Sequence, residues 1–75
     1  MDKDKLAGRH PGTVGMARFF DYAHLPEHLQ AVSRPCHDLA EAMIGELPDG
    51  AELSAGLRKL LEAKDCFVRA ALPPV

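Results

Sequence analysis

The chain has 75 residues, nine of them basic and eleven acidic, which gives a net charge of −2 with neutral histidines. This length allows one small domain with a thin hydrophobic core. The even charge balance argues against a protein that binds duplex DNA or RNA, because such a protein needs a basic face. Hydrophobic residues make up 47% of the chain but only four are aromatic, and the many Ala and Leu residues favour an all-α fold.

The N-terminal part of the chain is polar, contains three of the six glycines and shows no periodic apolar pattern. This composition predicts a disordered leader over residues 1–15, followed by a single helical domain over residues 16–75. Met16 immediately precedes the first hydrophobic segment. Both Met1 and Met16 therefore remain candidates for the natural start.

A short segment rich in aromatic residues follows. It is too short to form a stable helix by itself. Phe19 and Phe20 are expected to cover one end of the helical core, whereas Tyr22 carries a hydroxyl group and suits a position at a wet edge.

Two helices are predicted after this segment, over residues 26–47 and 50–72. Pro26 suits the first turn of a helix. Pro35 predicts a bend or a break between residues 31 and 35, because it lacks an N–H group and clashes with the preceding turn.

The second helix carries the longest helical pattern in the chain. Asp49 is the expected N-cap, Glu52 completes a capping box, and Pro73 and Pro74 end the helix. The apolar stripes of the two helices should face each other in an antiparallel hairpin with a tight loop. The predicted core consists of Leu39, Met43, Ile44, Leu47, Leu53, Leu57, Leu60, Leu61, Phe67 and Val68.

No enzyme signature is present: there is no HExxH motif, no Gly-rich phosphate loop and no nucleophile–base pattern. The His and Cys spacings match no standard zinc module, so neither a metal nor a cofactor is expected. Cys36 and Cys66 suggest reduced thiols of a cytoplasmic protein. No apolar run approaches the length of a membrane span or the core of a signal peptide.

A hairpin of this size has no interior large enough to enclose a ligand. Two or more hairpins packed as a homo-oligomer would form a pocket between them. Such a pocket would combine an aromatic ring with a cation or a helix N-terminus. That combination suits a nucleotide, whose base stacks on the ring and whose phosphate meets the positive charge.

Three stretches of residues 19–72, in chain order, carry a specific pattern: FFDYAHLP, LQAVSRPCHDLAEAM and LPDGAELSAGLRKLLEAKDCFVRAAL. Together they resemble the phage-encoded anti-CBASS family of cyclic-oligonucleotide sponges, in which a short aromatic segment precedes a helical hairpin. The resemblance implies a small viral protein that forms a hexamer. It also implies binding of cyclic dinucleotides, and in some members cyclic trinucleotides, without cleavage. Such a protein would withdraw immune messengers in the host bacterial cytoplasm.

The resemblance also implies a ligand site. A family tyrosine that stacks on a base matches Tyr22, and a family lysine that contacts phosphate falls on His37, fifteen positions later. Histidine is only partly charged near pH 7, so Arg34, one helical turn away, is the alternative phosphate contact. Ser54 and Arg58 on the second helix are the candidates for a trinucleotide site.

A second hypothesis comes from another functional class. The chain would then be a small helical oligomeric interaction protein whose surface binds a host protein and no nucleotide. Thermal stability with and without cyclic dinucleotide separates the two hypotheses, because a ligand that binds only the folded state raises the melting temperature.

Overall fold

A computed structural model describes residues 1–73 of the chain. These residues form four α-helices and a 3₁₀ turn, with no β-strand among them, so the predicted all-α fold is confirmed. Pro74, predicted to help end the last helix, and the predicted domain end at residue 75 lie outside the described residues. The elements in chain order are α1 (Lys3–Leu6), α2 (Pro11–Ala17), the 3₁₀ turn (Arg18–Phe20), α3 (Glu27–Glu46) and α4 (Ala51–Ala70).

The two long helices, α3 and α4, form the predicted helical hairpin. They contact each other and are joined by the short connection 47–50. Apolar residues one turn apart face each other across the pair: Ala40 and Ile44 from α3, Leu53 and Leu57 from α4. This spacing buries one stripe of each helix and leaves most of the charged residues exposed, although the Lys64 side chain is only 14% exposed.

Helix α3 runs unbroken through Pro35, so the predicted break is not found. Pro35 removes one backbone hydrogen bond, that from its own missing N–H to the carbonyl of Ala31. Both residues are exposed, so water can hydrate the freed carbonyl. The proline is tolerated because it lies on the solvent side of a helix held by its packed face.

Asp49 does not cap α4, contrary to the prediction. The N-cap position is Gly50, and no side chain accepts a capping hydrogen bond there. The Asp49 carboxylate instead accepts hydrogen bonds from Arg9 Nε, the His10 backbone N–H and the Thr13 hydroxyl. The Asp49 carboxylate therefore binds three donors of the N-terminal segment in place of the backbone N–H groups at the start of α4.

Residues 1–15, here called the strap, contain helical structure where the sequence predicts disorder. Helix α1 contacts α3, and α2 contacts both long helices. The Arg9 guanidinium donates hydrogen bonds to the carbonyls of Ile44 and Leu47, near the end of α3. Gly8 has a φ of 73°, in the left-handed region that favours glycine, and lies between α1 and α2. These tertiary contacts order a segment that has no helical pattern of its own.

The core joins the hairpin to the end of the N-terminal segment. Phe20 is fully buried within the core, whereas Phe19, expected with it to cover one end of the core, is half exposed beside the Arg18 guanidinium. The strap and α2 add apolar cover that the sequence did not predict. The buried cluster consists of Ala17, Phe20, Ala40, Ile44, Leu53 and Leu57.

Several predicted core residues are exposed in the single chain. Because α3 and α4 cover each other along one stripe only, the edge of the apolar face remains open. Leu60 and Leu61 are partly buried against the core. The exposed members of the predicted core are Leu39, Met43, Leu47 and Phe67.

Candidate functional site

Tyr22, Arg34 and His37, predicted from sequence as ligand residues, lie together in the structure. Tyr22 follows the 3₁₀ turn, and the other two are one turn apart on α3. The Tyr22 and His37 ring centroids are 4.9 Å apart in an edge-to-face arrangement. The guanidinium carbon of Arg34 lies over the Tyr22 ring, 5.7 Å from its centroid. An aromatic ring and a cation are therefore adjacent at this point on the surface.

An open recess of about 360 Å³ adjoins the two rings. It opens to solvent, so a ligand could enter without a rearrangement of the long helices. Its lining comes from the strap, the turn before α3 and α3 itself: Met1, Asp21, Tyr22, Ala23, His24 and His37.

His37 is a poor candidate for the phosphate contact. Its side chain is only 10% exposed, and both ring nitrogens face carboxylates. Nδ1 is 2.9 Å from Asp38 Oδ1, and Nε2 is 3.8 Å from Glu41 Oε2. A phosphate at either nitrogen would approach a carboxylate, and like charges repel. The His37 ring instead packs against the Tyr22 ring, with an angle of 72° between the two ring planes.

Arg34 is better placed for an anion. Its side chain is 65% exposed, and its ion pair with Asp38 is loose, with Nε 3.8 Å from Oδ2. An exposed ion pair of this kind contributes little to stability. Replacing the Asp38 carboxylate with a phosphate as the partner of Arg34 therefore costs little free energy. The planar guanidinium can also bind a phosphate through two hydrogen bonds.

Glu41 links the site to the strap. Its carboxylate accepts a hydrogen bond from Lys5 Nζ at 3.2 Å and one from the Asp2 backbone N–H at 3.4 Å. The Lys5 contact and then the Asp2 N–H hold the pKa of Glu41 below its ordinary value, and the nearby His37 adds to this. Glu41 is thus ionised and shared between the strap and the aromatic site.

Ser54 and Arg58 do not join the Tyr22 cluster. Ser54 lines a separate recess at the start of α4, together with His10, Thr13 and Asp49. Arg58 is exposed on α4. The structure therefore brings together three of the five predicted site residues.

Sequence reasoning missed the strap contacts altogether. Arg9 and Lys5 stand in a polar segment without helical periodicity, and Asp49 fits the pattern of a helix cap. The only signal was composition: residues 1–15 hold two basic residues that find carboxylates forty and thirty-six positions away, at Asp49 and Glu41. Pairings at such separations leave no local pattern to detect.

A second surface feature is an open apolar groove between α3 and α4, here called the hairpin groove. Its volume is about 330 Å³. The exposed Leu39, Met43 and Leu47 belong to it. The full lining is Leu39, Met43, Leu47, Glu52, Leu53, Gly56, Leu57 and Leu60. Exposed apolar surface of this kind often marks an interface.

Residues 1–73 hold no group of three or more His, Cys, Asp and Glu side chains that could bind a metal ion. Burial raises the pKa of the Cys36 thiol, and the nearby Lys64 partly offsets this. None of the helices in this part of the chain is both long and apolar enough to cross a bilayer.

The chain matches no protein-family profile, no curated protein and no solved structure.

Proposed function

We propose that the protein is a phage anti-defence protein that sequesters cyclic dinucleotide immune messengers without cleaving them. The observation that carries this proposal is the convergence of Tyr22 and Arg34, with the guanidinium carbon 5.7 Å from the ring centroid beside an open recess. In the proposal the protein acts in the host bacterial cytoplasm, where such messengers are made.

Each residue has a distinct role in this site. The Tyr22 ring stacks on a base, an interaction that contributes roughly 1–3 kcal/mol per base. Arg34 binds the phosphate, and His37 packs against the Tyr22 ring, with the two ring centroids 4.9 Å apart. Stacking gives affinity for many bases, while the guanidinium selects for an anion.

The proposed site is shared between chains. A cyclic dinucleotide carries two bases and two phosphates, whereas one recess offers a single tyrosine and a single exposed arginine nearby. Two copies of the site, related by symmetry, would match the ligand's own repeat. The exposed hairpin groove supports self-association, and the resemblance to the sponge family favours a hexamer.

A binding experiment on ring variants tests the proposal. Titration calorimetry with a panel of cyclic dinucleotides should show binding to the wild-type protein. Tyr22→Ala should weaken it by about one to two decades, because roughly 1.4 kcal/mol corresponds to a decade. Tyr22→Phe keeps the stacking face and should bind nearly as tightly. Undiminished affinity in Tyr22→Ala, with the oligomer intact, would remove Tyr22 from the site.

The groove also favours the second candidate, an interaction protein that binds a host protein through apolar contacts. Both candidates use an exposed apolar surface, but only the sponge binds a nucleotide. A melting temperature that does not rise with any cyclic di- or trinucleotide at saturating concentration would favour the second candidate. The trinucleotides in this panel also test Ser54 and Arg58, through Arg58→Ala and Ser54→Ala.

A further inference from the structure

The charged side chains around the aromatic site are mostly acidic. Asp21, Asp38 and Glu41 are 51%, 60% and 25% exposed, respectively. The cationic side chains beside them are Arg34 of α3 and Lys5 of the strap. The N-terminal ammonium of Met1 lies 3.6 Å from Asp21 Oδ1, so each of the three carboxylates has one cationic neighbour. The electrostatic potential that an anionic ligand meets therefore depends on how well those carboxylates are paired.

An unbroken series of polar contacts runs from the strap to the proposed phosphate contact. Lys5 Nζ is 3.2 Å from Glu41 Oε1, and Glu41 Oε2 is 3.8 Å from His37 Nε2. His37 Nδ1 is 2.9 Å from Asp38 Oδ1, and Asp38 Oδ2 is 3.8 Å from Arg34 Nε. Lys5 thus contacts one end of a series of polar contacts whose other end is Arg34, at the proposed ligand site.

We propose that Lys5 is a positioning residue of the cyclic dinucleotide site, where it pairs Glu41 and so offsets a repulsive charge that lies behind His37, next to the site. This inference rests on the proposed function. Without Lys5, the Glu41 carboxylate would lie beside the His37 ring without a lysine partner and would keep only the hydrogen bond from the Asp2 backbone N–H. Its field would act on a phosphate at Arg34 across a partly buried region, where water screens charges less than in bulk solvent.

Other contacts of the strap hold Lys5 in this position. The Arg9 guanidinium fastens the strap to Asp49 and to carbonyls of Ile44 and Leu47. The Asp2 side chain accepts a hydrogen bond from the Asp4 N–H at the start of α1, and the Asp2 backbone N–H adds a second contact to Glu41. In this proposal Lys5 contributes to ligand binding without lining the recess itself.

Four variants of the full chain test the inference, with cyclic dinucleotide as the probe in titration calorimetry. Lys5→Ala should weaken binding roughly three- to tenfold, as expected for one partly screened charge near the site. Lys3→Ala removes a charge from the same short helix, but Lys5 and not Lys3 pairs with Glu41, so this control should bind as wild type. Glu41→Gln should bind at least as tightly as wild type. Lys5→Ala combined with Glu41→Gln should recover wild-type affinity within about twofold, since no carboxylate remains to be paired.

Recovery of affinity in the double variant distinguishes an electrostatic role of Lys5 from a structural one. Both Lys5→Ala and the double variant lack the Lys5–Glu41 contact, so a role limited to docking the strap predicts weak binding in both. Weak binding by the double variant, or unchanged binding by Lys5→Ala, would overturn the inference while leaving the sponge function in place. No binding of any cyclic dinucleotide by the wild-type protein would overturn the sponge function and this inference together.

Discussion

At the scale of single residues, the structure assigns different surroundings to two neighbours that the sequence could not separate. His37 is buried between two carboxylates, whereas Arg34 is exposed over the Tyr22 ring. Their order in the chain gave equal reason to choose either as the phosphate contact. The choice depends on Asp38 and Glu41, whose positions relative to the ring follow from side-chain packing and not from spacing alone.

This difference predicts the pH dependence of ligand binding. If Arg34 holds the phosphate, Arg34→Ala should weaken cyclic dinucleotide binding about tenfold, the cost of one charged hydrogen bond. Affinity should be nearly constant from pH 6 to pH 8, because arginine stays charged throughout. Arg69→Ala, a change of an exposed arginine near the end of α4, is the control. Affinity that rises steadily as the pH falls would assign the contact to His37 instead.

The burial of a residue predicts how much its truncation lowers the free energy of unfolding. Leu57 is 3% exposed in the centre of the core, and Leu57→Ala should lower the free energy of unfolding by about 2–5 kcal/mol. Val14 is 39% exposed on α2, and Val14→Ala should change it by no more than about 0.5 kcal/mol. Urea unfolding of both variants measures the difference. Equal losses would mean that Leu57 is not central to the core.

At the scale of elements, the hairpin was predictable and the strap was not. The helices of the hairpin follow from apolar residues at steps of three and four. This pattern lies within each helix, so it can be recognised without knowing what the helix packs against. The strap is ordered by pairings such as Arg9 with Asp49, which lie forty positions apart. Asp49 shows why the sequence misled: a carboxylate before a helix is a common cap, and only the folded chain reveals its other partners.

The Asp49 contacts predict an acid-sensitive strap. Hydrogen bonds from the His10 N–H and then from Thr13 and Arg9 hold the pKa of Asp49 below its ordinary value. A lowered pKa in the folded state means that this carboxylate stabilises the fold above its unfolded value of about 3.9, and that the contribution is lost as the pH falls through the lower, folded value.

Asp49→Asn should therefore destabilise the protein at pH 7, and its unfolding midpoint in urea should fall less steeply than that of wild type between pH 5 and pH 2.5. Ser54→Ala, in the neighbouring recess, carries no charge change and should follow the wild-type profile. Parallel profiles for Asp49→Asn and wild type would show that the carboxylate does not hold the strap.

At the scale of the whole molecule, the single chain exposes more surface than a compact protein of its size. Its accessible surface is 5104 Å² for a mass of 8.2 kDa, against about 4,500 Å² expected for a compact monomer. Its radius of gyration is 12.7 Å, where about 11 Å is typical for this length. The elongated shape of the chain and the open hairpin groove have the same cause, because two long helices side by side cover only part of each other's apolar surface.

The last prediction joins assembly to ligand binding. Met43 is 37% exposed in the hairpin groove, whereas its neighbour Ala42 is exposed but does not line the groove. If the groove is the contact between copies, Met43→Lys places a charge in an apolar interface and should convert the oligomer to a monomer. Ala42→Lys adds the same charge one position away and should sediment as wild type.

Sedimentation at micromolar concentration measures the oligomer, and titration calorimetry on the same samples measures cyclic dinucleotide binding. Because the proposed site needs two copies of Tyr22 and Arg34, Met43→Lys should lose affinity together with assembly although neither residue is altered. A monomeric Met43→Lys protein with full affinity would place the whole site within one chain. A wild-type protein that sediments as a folded monomer would contradict the shared site directly, since the single recess would then have to hold both bases and both phosphates alone.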